Sequence, residues 1–330
     1  MQIIQNSADD LLLEVFKRLF KSGLEAQASK GHILELTGVQ LELRNPRARL
    51  SRTETRSILF SSLGELFWYL SGSQSLSFIR HYIEKYPEET PDSDTLQAAY
   101  GPRLAPHGSM SLLYRIVELL KEKPTSRRAV IPIYSVSDVV IDHPEIPCTC
   151  TLQFLIRRNR LLMIVYMRSN DAFKGLPSDI FAFTMIQEML ARALEVEVGS
   201  YKHFVGSLHL YEEHFQAAEG FLSEAVQKTH IMPLMPREDP FPSINIVVKA
   251  EKAIREGGPI PRSPYLSAYW KDIIRLLQIH SAAKDGKEGR VRYLREQMHS
   301  NQFAPYIEKR RKQAKMRGKA VQLSLPTGSD

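Results

Sequence analysis

Hydrophobic residues along the chain follow two periods, one helical and one extended. Ser7, with Asp10 three residues later, has the spacing of a capping box, and the apolar positions that follow recur every three or four residues. This pattern predicts a first helix that ends near Gly23. Apolar and polar residues then alternate from Ile33 to Leu43, which predicts a strand.

Three further segments have helical spacing and are largely apolar. Thr53 opens the first of them, a long helix that is expected to end near Gly72. Residues 109–123 predict the second. The third is the most apolar and covers residues 179–195, and its start is marked by Pro177 and Ser178.

Strands are predicted mainly in the middle of the chain. The runs AVIPIYSV, CTCTLQFLI and LLMIVYMRS are apolar and of strand length, and HFVGSLHLY predicts one more. A helix over about 212–227, a loop-and-strand region and two terminal helices follow. Because no repeat or flexible linker separates these elements, we predict one mixed α+β domain over residues 1–330, a large sheet covered by helices, with a helical C-terminal extension from about residue 264.

The composition is that of an ordinary globular protein. The 330 residues are 43% hydrophobic and 25% charged, which suffices for a sizeable core. No apolar run reaches the roughly 18 residues of a membrane span, and the N-terminus lacks the order of a secretory leader. We therefore expect a cytoplasmic protein with no membrane partner. The net charge of +7 includes a basic run over residues 308–319, interpreted as a solvated helix end because no nucleic-acid-binding module accompanies it.

The only two cysteines are Cys148 and Cys150. On an extended segment their side chains point to opposite faces, so a disulfide between them is not expected. Two thiols alone make a poor metal site, and no metal is expected.

Four short segments hold polar residues that core packing would not select. They are SRR at 126–128, PCTCTLQF at 147–154, RSNDAFKGLPSDI at 168–180 and GSLHLYEEH at 206–214. Each one alone has an ordinary structural explanation, since a cysteine at a strand start is usually a small buried hydrophobe and paired arginines are usually solvated. Glu65 stands out inside the apolar stretch SSLGELFWYL, where a carboxylate is either paired, functional or at the edge of the apolar stripe.

In this order and at these spacings the segments resemble thymidylate synthase and the related pyrimidine nucleotide hydroxymethylases, from about Thr53 to His214. GELFWYL resembles the family's glutamate-bearing helix, and Tyr100 with Gly101 resembles its active-site tyrosine turn. Cys148, with the pair QF downstream, matches the nucleophile strand, and RSND, GLPSD and HLY complete the pattern. The resemblance implies a thymidylate-synthase-like fold that uses a face of its sheet for dimerisation.

The resemblance also implies a mechanism. The Cys148 thiolate would add to carbon 6 of a pyrimidine nucleotide monophosphate, and carbon 5 would then attack the methylene group of 5,10-methylenetetrahydrofolate, the co-substrate. Glu65 would order the water and the proton transfers at the base. The pair Arg127 and Arg128 would reach across a homodimer interface to the partner's nucleotide phosphate. The remaining implied contacts are Arg168, Ser169 and, as a substitute, Lys30 for phosphate, His209 and Tyr211 for the sugar, and Asp171 for the pterin.

Asp179 departs from the family pattern in a way that bears on the base. Thymidylate synthase has an asparagine there that reads uracil, whereas a carboxyl accepts from the amino group of cytosine and shares a proton with ring nitrogen 3. We therefore interpret the base as cytosine. The structural alternative is that Asp179 caps the helix that follows.

Two absences favour the addition of water over the transfer of a hydride in the last step of the reaction. The methylating enzymes carry a tryptophan before the active-site tyrosine and a short apolar C-terminus, whereas this chain has tryptophan only at 68 and 270 and ends in LSLPTGSD. We therefore expect a cytidylate (CMP or dCMP) 5-hydroxymethylase. The alternatives are a methylase of dUMP or dCMP, and an inactive homologue that binds nucleotide or RNA through its basic tail.

Other positions also depart from the pattern. Thr149 stands in place of a histidine, Met167 in place of a glutamine and Ser207 in place of the aspartate in GDxHxY. The choice between ribose and deoxyribose stays open, although Ser169 is similar to the deoxynucleotide enzymes.

Overall fold

The structure is a computed structural model that describes residues 1–28, 31–51, 58–84, 86, 94–141, 145–224, 229–262 and 264–324, with backbone alone for 319–324. Its contacts divide the chain into two compact units, residues 1–239 and 240–330. Among the described residues, no helix is both long and apolar enough to cross a membrane.

The first unit is built on a seven-stranded mixed sheet. Its strands are β1 (Gln2–Gln5), β2 (Leu24–Ala28), β3 (Gly31–Leu43), β4 (Val130–Pro132), β5 (Thr149–Arg157), β6 (Arg160–Asp171) and β7 (Glu197–Tyr211). The strand order is β1-β3-β7-β6-β5-β4, and β2 pairs with the other part of β3. The pairs β1–β3 and β6–β7 are parallel, and the other pairs are antiparallel. The sheet and its helices confirm the predicted α+β class.

Helices of the first unit pack on this sheet and on one another. They are α1 (Ala8–Ser22), α2 (Leu59–Leu70), α3 (Leu76–Tyr82), α4 (Gly101–Leu104), α5 (Ser111–Glu122), α6 (Ser137–Val140), α7 (Gly175–Ala193) and α8 (Phe215–Ser223). The Ser7 side chain accepts from the backbone N–H of Asp10, and α1 ends before Gly23, so its predicted limits are confirmed. The predicted start of α2 at Thr53 lies outside the described residues, but its predicted end is confirmed.

Helix α7 forms the centre of the core. Every residue from Leu176 to Ala193 is buried, because the helix packs against β6, β7 and α2 at once. The helix begins at Gly175, one turn before the predicted start, and Pro177 therefore lies in its first turn, where its missing N–H costs nothing. This earlier start places Asp179 inside the helix instead of at its cap.

Strands β3 and β7 keep one register along their whole pairing. Gly38, with φ of +60°, lies between the residue pairs Thr37–Ser207 and Val39–Val205 of strands β3 and β7. A positive φ is accessible to glycine without strain. In this register Glu35 pairs with His209 on β7, and His209 pairs with Asp171 on β6, so the three side chains lie in one row across three strands.

The second unit is helical. It contains α9 (Pro240–Glu256), α10 (Ala268–Lys284), α11 (Glu288–Glu296) and α12 (Ala304–Ser324). The loop-and-strand region predicted between the helix over about 212–227 and the terminal helices was wrong for residues 240–256, which form α9. The single domain with an extension from about residue 264 stays a prediction.

Candidate active site

Cys148 is the residue directly before strand β5, and its side chain is half-buried. Its carbonyl accepts a hydrogen bond of 2.9 Å from the backbone N–H of Arg168. The next N–H, of Thr149, donates to the hydroxyl of Tyr100 at 3.0 Å. The cysteine is thus fixed from two sides, by strand β6 and by the residue that precedes α4. It forms no disulfide with Cys150.

The guanidinium group of Arg168 is fixed beside the cysteine strand. Its Nε donates to the carbonyl of Pro147 at 3.0 Å, and Nη2 donates to that of Ile146 at 2.9 Å. Burial raises the pKa of the Cys150 thiol, and the nearby charge of Arg168 partly opposes that effect. A held positive charge next to a cysteine favours the thiolate form and can also receive an anion such as phosphate.

Two buried carboxyl groups face the site from different helices. Glu65 lies on α2 and Asp179 on α7, and both are less than a tenth exposed. The amide Nδ2 of Asn170 donates to Asp179 Oδ2 at 2.7 Å, and the hydroxyl of Tyr69 donates to Glu65 Oε1 at 2.8 Å. Burial raises the pKa of Asp179 well above its usual range, and the negative charge of Glu65 raises it further. Asp179 therefore favours the protonated carboxyl.

Aromatic side chains connect these groups. The rings of Tyr69 and Tyr100 lie 5.1 Å apart, and Tyr100 stacks on Phe183 of α7 at 6.5 Å. Burial raises the pKa of Tyr69, Tyr86 and Tyr100 well above the usual range, so their hydroxyls stay protonated and can act as donors. The Cys148 strand, Glu65 and Asp179 are thus linked in one buried cluster.

The ends of strands β6 and β7 bring further polar side chains beside this cluster. Ser169 pairs with Ser207, and Asp171 pairs with His209. The rings of His209 and Tyr211 lie edge to face at 5.0 Å. Asp171 Oδ1 accepts from the N–H groups of residues 173 and 174, at 2.7 and 3.1 Å, which closes the turn into α7. This row offers donors and acceptors for a sugar or a polar ring.

A carboxylate from β3 completes the row. The hydroxyl of Ser207 donates to Glu35 Oε1, and Glu35 stands directly opposite His209. Directly opposite residues of an antiparallel pair have their side chains on the same face, about 5 Å apart at Cβ. Glu35 is therefore part of the polar row, although no sequence motif suggested it.

A comparison with known protein families gives one match that covers most of the chain. A model described as thymidylate synthase matches residues 12–247. The chain belongs to this family. It is also similar to a protein named deoxyuridylate hydroxymethyltransferase, from Bacillus phage SP01, with 29% identity over 245 residues. The aligned region covers 70% of this chain and 63% of that relative, so the match spans less than two thirds of the relative's length.

The family membership confirms the resemblance drawn from the motifs, and the structure brings most of the named residues together. Strand pairing, hydrogen bonds and ring contacts connect one set of side chains: Glu65, Tyr100, Cys148, Arg168, Ser169, Asp171, Asp179, His209 and Tyr211. Their individual roles stay predictions.

Three predicted phosphate contacts are not part of this cluster. Lys30 lies outside the described residues. Arg127 and Arg128 lie before β4 with exposed side chains, and the carbonyl of Arg127 is held at 3.1 Å by the side chain of Gln153. Within the described part of the chain, neither arginine makes a side-chain hydrogen bond or ion pair. Their exposure is compatible with a role toward a second copy of the chain.

Sequence reasoning missed three residues of the site. Tyr69 follows Glu65 by four positions, so helical spacing alone predicts that the two side chains are neighbours. Asn170 lies inside the RSND motif but had no assigned role. Glu35 had only a weak indication of function in the sequence, namely a charged residue within a strand of alternating apolar and polar positions. In the described residues, no group of three or more His, Cys, Asp or Glu side chains is arranged to hold a metal ion.

Proposed function

We propose that this protein is a cytidylate 5-hydroxymethylase that transfers a one-carbon unit from 5,10-methylenetetrahydrofolate to carbon 5 of CMP or dCMP. The observation that carries the proposal is the buried carboxyl of Asp179, which is held by Asn170 within the same cluster as Cys148. Membership of the thymidylate synthase family supports pyrimidine and folate as the two substrates.

Asn170 orients the carboxyl of Asp179. Because Nδ2 of Asn170 donates to Oδ2, this oxygen acts as the carbonyl acceptor and the proton resides on Oδ1. Cytosine presents a lone pair at ring nitrogen 3 and an amino donor at carbon 4, so it accepts from Oδ1 and donates to Oδ2. Nitrogen 3 of cytosine is basic and can take the proton fully, which would convert the contact into a charge-assisted pair.

Uracil is the second candidate base. It presents a donor at nitrogen 3 and an acceptor at carbon 4, and a protonated carboxyl in the opposite orientation also satisfies both. The similar phage protein is named a deoxyuridylate hydroxymethyltransferase, and this favours uracil. Uracil lacks a basic ring nitrogen, however, so it cannot take the proton that the site keeps on Asp179 and cannot form a charge-assisted pair.

The residues of the cluster support each bond change. The Sγ atom of Cys148 forms a bond to carbon 6, which makes carbon 5 nucleophilic toward the methylene carbon that the folate supplies. The bond from that carbon to the folate nitrogen then breaks, with the electron pair going to the folate, and carbon 5 loses its proton to water, which leaves an exocyclic methylene group. A water oxygen bonds to this methylene carbon while Glu65 accepts the water proton. The displaced electron pair re-forms the bond between carbons 5 and 6, and the C–S bond breaks to release the Cys148 thiolate. The similar phage protein is named a hydroxymethyltransferase, which supports the addition of water as the step that completes the product.

We also propose a homodimer in which arginines are shared. The sheet face that bears Tyr166 is open, since this side chain is 47% exposed in the middle of a strand, and Val130 on β4 is 38% exposed. Arg127 and Arg128 precede β4 with their side chains in solvent. Subunit complementation tests this proposal, with an inactive Cys148→Ala chain mixed with an inactive Arg127→Ala/Arg128→Ala chain. If the arginines act in the partner subunit, the mixture should regain about a quarter of the wild-type activity, because about half of the dimers are mixed and each mixed dimer has one complete site of two.

The proposed function is tested by mass analysis of products. The enzyme is incubated with 5,10-methylenetetrahydrofolate and, separately, CMP, dCMP and dUMP. We expect one hydroxymethyl group on a cytosine nucleotide, a product that Cys148→Ala abolishes and the matched control Cys150→Ala retains. A methyl product with formation of dihydrofolate, or turnover of dUMP alone, would contradict the proposal, and binding of RNA without any turnover would favour the inactive homologue.

A further inference from the structure

Tyr69 lies one helical turn after Glu65 on α2 and faces it. The hydroxyl donates to Glu65 Oε1 at 2.8 Å, and only 3% of the Tyr69 side chain is exposed. A hydrogen bond to the charged form of a buried carboxyl stabilises that form and fixes its direction. Tyr69 therefore fixes the direction of one carboxyl oxygen of Glu65.

The ring of Tyr69 is itself held in place. It lies 5.1 Å from the ring of Tyr100, whose hydroxyl accepts the N–H of Thr149 next to the nucleophile. A tilt of Tyr69 would thus disturb the contact that fixes the Cys148 strand. The side chain couples the position of the carboxylate to the position of the thiol.

Several ionisable groups lie on the elements that pack around Glu65. They are Tyr69 on α2, Arg80 and His81 on α3, Tyr86 after α3, Tyr100 before α4 and Asp179 on α7. Asp179 is the second carboxyl of this group, and its hydrogen bond from Asn170 parallels that of Glu65 from Tyr69. Two buried carboxyls this close compete for protons. Burial and, after it, the negative charge of Glu65 raise the pKa of Asp179.

We propose that Tyr69 is a positioning residue that fixes Glu65 as the base for the addition of water. The inference rests on the proposed function. In it the Tyr69 hydroxyl keeps its own proton throughout, and the water proton goes to the carboxylate of Glu65.

The test is the pH dependence of kcat for hydroxymethylation by Tyr69→Phe. Without this donor the charged form of Glu65 loses a hydrogen bond, so the acid limb of the profile should move up by about one pH unit. At a pH on that limb kcat should fall about tenfold, as for loss of one hydrogen bond to a charged group, while KM for the nucleotide changes less than about twofold. A purely structural role would lower kcat by the same factor at every pH.

Three comparisons isolate the contact. Tyr82→Phe is the matched control, because this buried ring packs on α2 against Gly64, and its acid limb should stay in place. In a Glu65→Gln background, Tyr69→Phe should have no further effect on the residual rate, since the two residues act as one unit. Incorporation of 3-fluorotyrosine at position 69 keeps the fold and strengthens the donor, so the limb should move down.

The outcomes separate this inference from the proposed function. If the wild-type enzyme forms no hydroxymethylated nucleotide, the proposed function fails and the role of Tyr69 fails with it. If the wild type is active but neither Tyr69→Phe nor fluorotyrosine moves the acid limb, only the role of Tyr69 is overturned. An additive effect of Tyr69→Phe and Glu65→Gln would overturn it as well.

Discussion

The ion pair between Arg103 and Asp138 should contribute to stability in a strongly pH-dependent manner. Two nitrogens of Arg103 bind the two oxygens of Asp138 at 2.5 and 2.6 Å, and the Asp138 side chain is 3% exposed. The hydrogen bonds from Arg103 and Ser135 lower the pKa of Asp138 from 3.8 to about 2. The pair joins the turn after Tyr100 to the segment that follows β4.

The magnitude follows from the pKa difference. At 1.36 kcal/mol per pKa unit, a shift of about 1.8 units corresponds to about 2.4 kcal/mol at neutral pH. Because the folded-state pKa is depressed, this stability is complete above the unfolded-state pKa near 4 and is lost as the pH falls toward 2. About half of it, roughly 1.3 kcal/mol, should remain at pH 3.

The assay is urea unfolding of the wild type and Asp138→Asn at pH 7, 5 and 3. The difference in unfolding free energy should be about 2 kcal/mol at pH 7 and 5, and should narrow to about 1 kcal/mol at pH 3. The control is Glu118→Gln, which removes an exposed pair with Arg115 whose side chains are 66% and 67% exposed. It should cost less than about 0.5 kcal/mol at every pH. If Asp138→Asn lowered the unfolding free energy by the same amount at pH 7 and pH 3, the electrostatic origin of the stabilisation would be refuted.

Other substitutions test the site and its support. Asp179→Asn supplies an amide that cannot give up a proton, so kcat/KM for cytidylate should fall about 100-fold and turnover of dUMP should appear in the product assay; unchanged selectivity would exclude base reading by this carboxyl. Cys148→Ser should retain nucleotide binding, measured by calorimetry, while product formation is lost. Glu188→Gln leaves Arg49 buried without its charge partner, and should lower the unfolding free energy by about 3–5 kcal/mol in urea titrations. Burial lowers the pKa of His203 to about 3, so wild-type stability should decline as the pH falls below about 6.5, and His203→Phe should flatten that decline.

Elements with strong local signals could be predicted from sequence, and those shaped by distant contacts could not. Helix α1 has a cap at Ser7 and a stop at Gly23, and both limits are where the pattern places them. The run AVIPIYSV predicted a longer strand than β4, which ends at Pro132. The chain leaves the sheet there because the next two N–H groups share one carbonyl of Cys150, and Asp138 then accepts from the N–H of residue 135 to close a turn. The sequence of this run does not predict the ion pair between Asp138 and Arg103, which lies about thirty residues earlier in the chain.

The residues of the site also divide into those that local sequence signals predict and those that depend on distant contacts. Motifs predicted the residues that the family shares, because each motif is contiguous in sequence. Tyr69 was foreseeable from helical spacing to Glu65, and Asn170 from its place between two motif residues. The raised pKa of Asp179 could not be predicted from the motifs, because it arises from the burial of this side chain and from a carboxylate on another helix.

Glu35 shows why a departure within one motif is weak evidence for lost chemistry. Ser207 stands where the family pattern has aspartate, which by itself suggests that a negative charge is missing from the row beside His209. The structure places the carboxylate of Glu35 at that row from the neighbouring strand, with the Ser207 hydroxyl as its donor. An aspartate at 207 would bring a second carboxylate against Glu35, and like charges at that separation repel. The serine and the glutamate are therefore complementary, so Ser207→Asp should be destabilising in this chain unless Glu35 is changed with it.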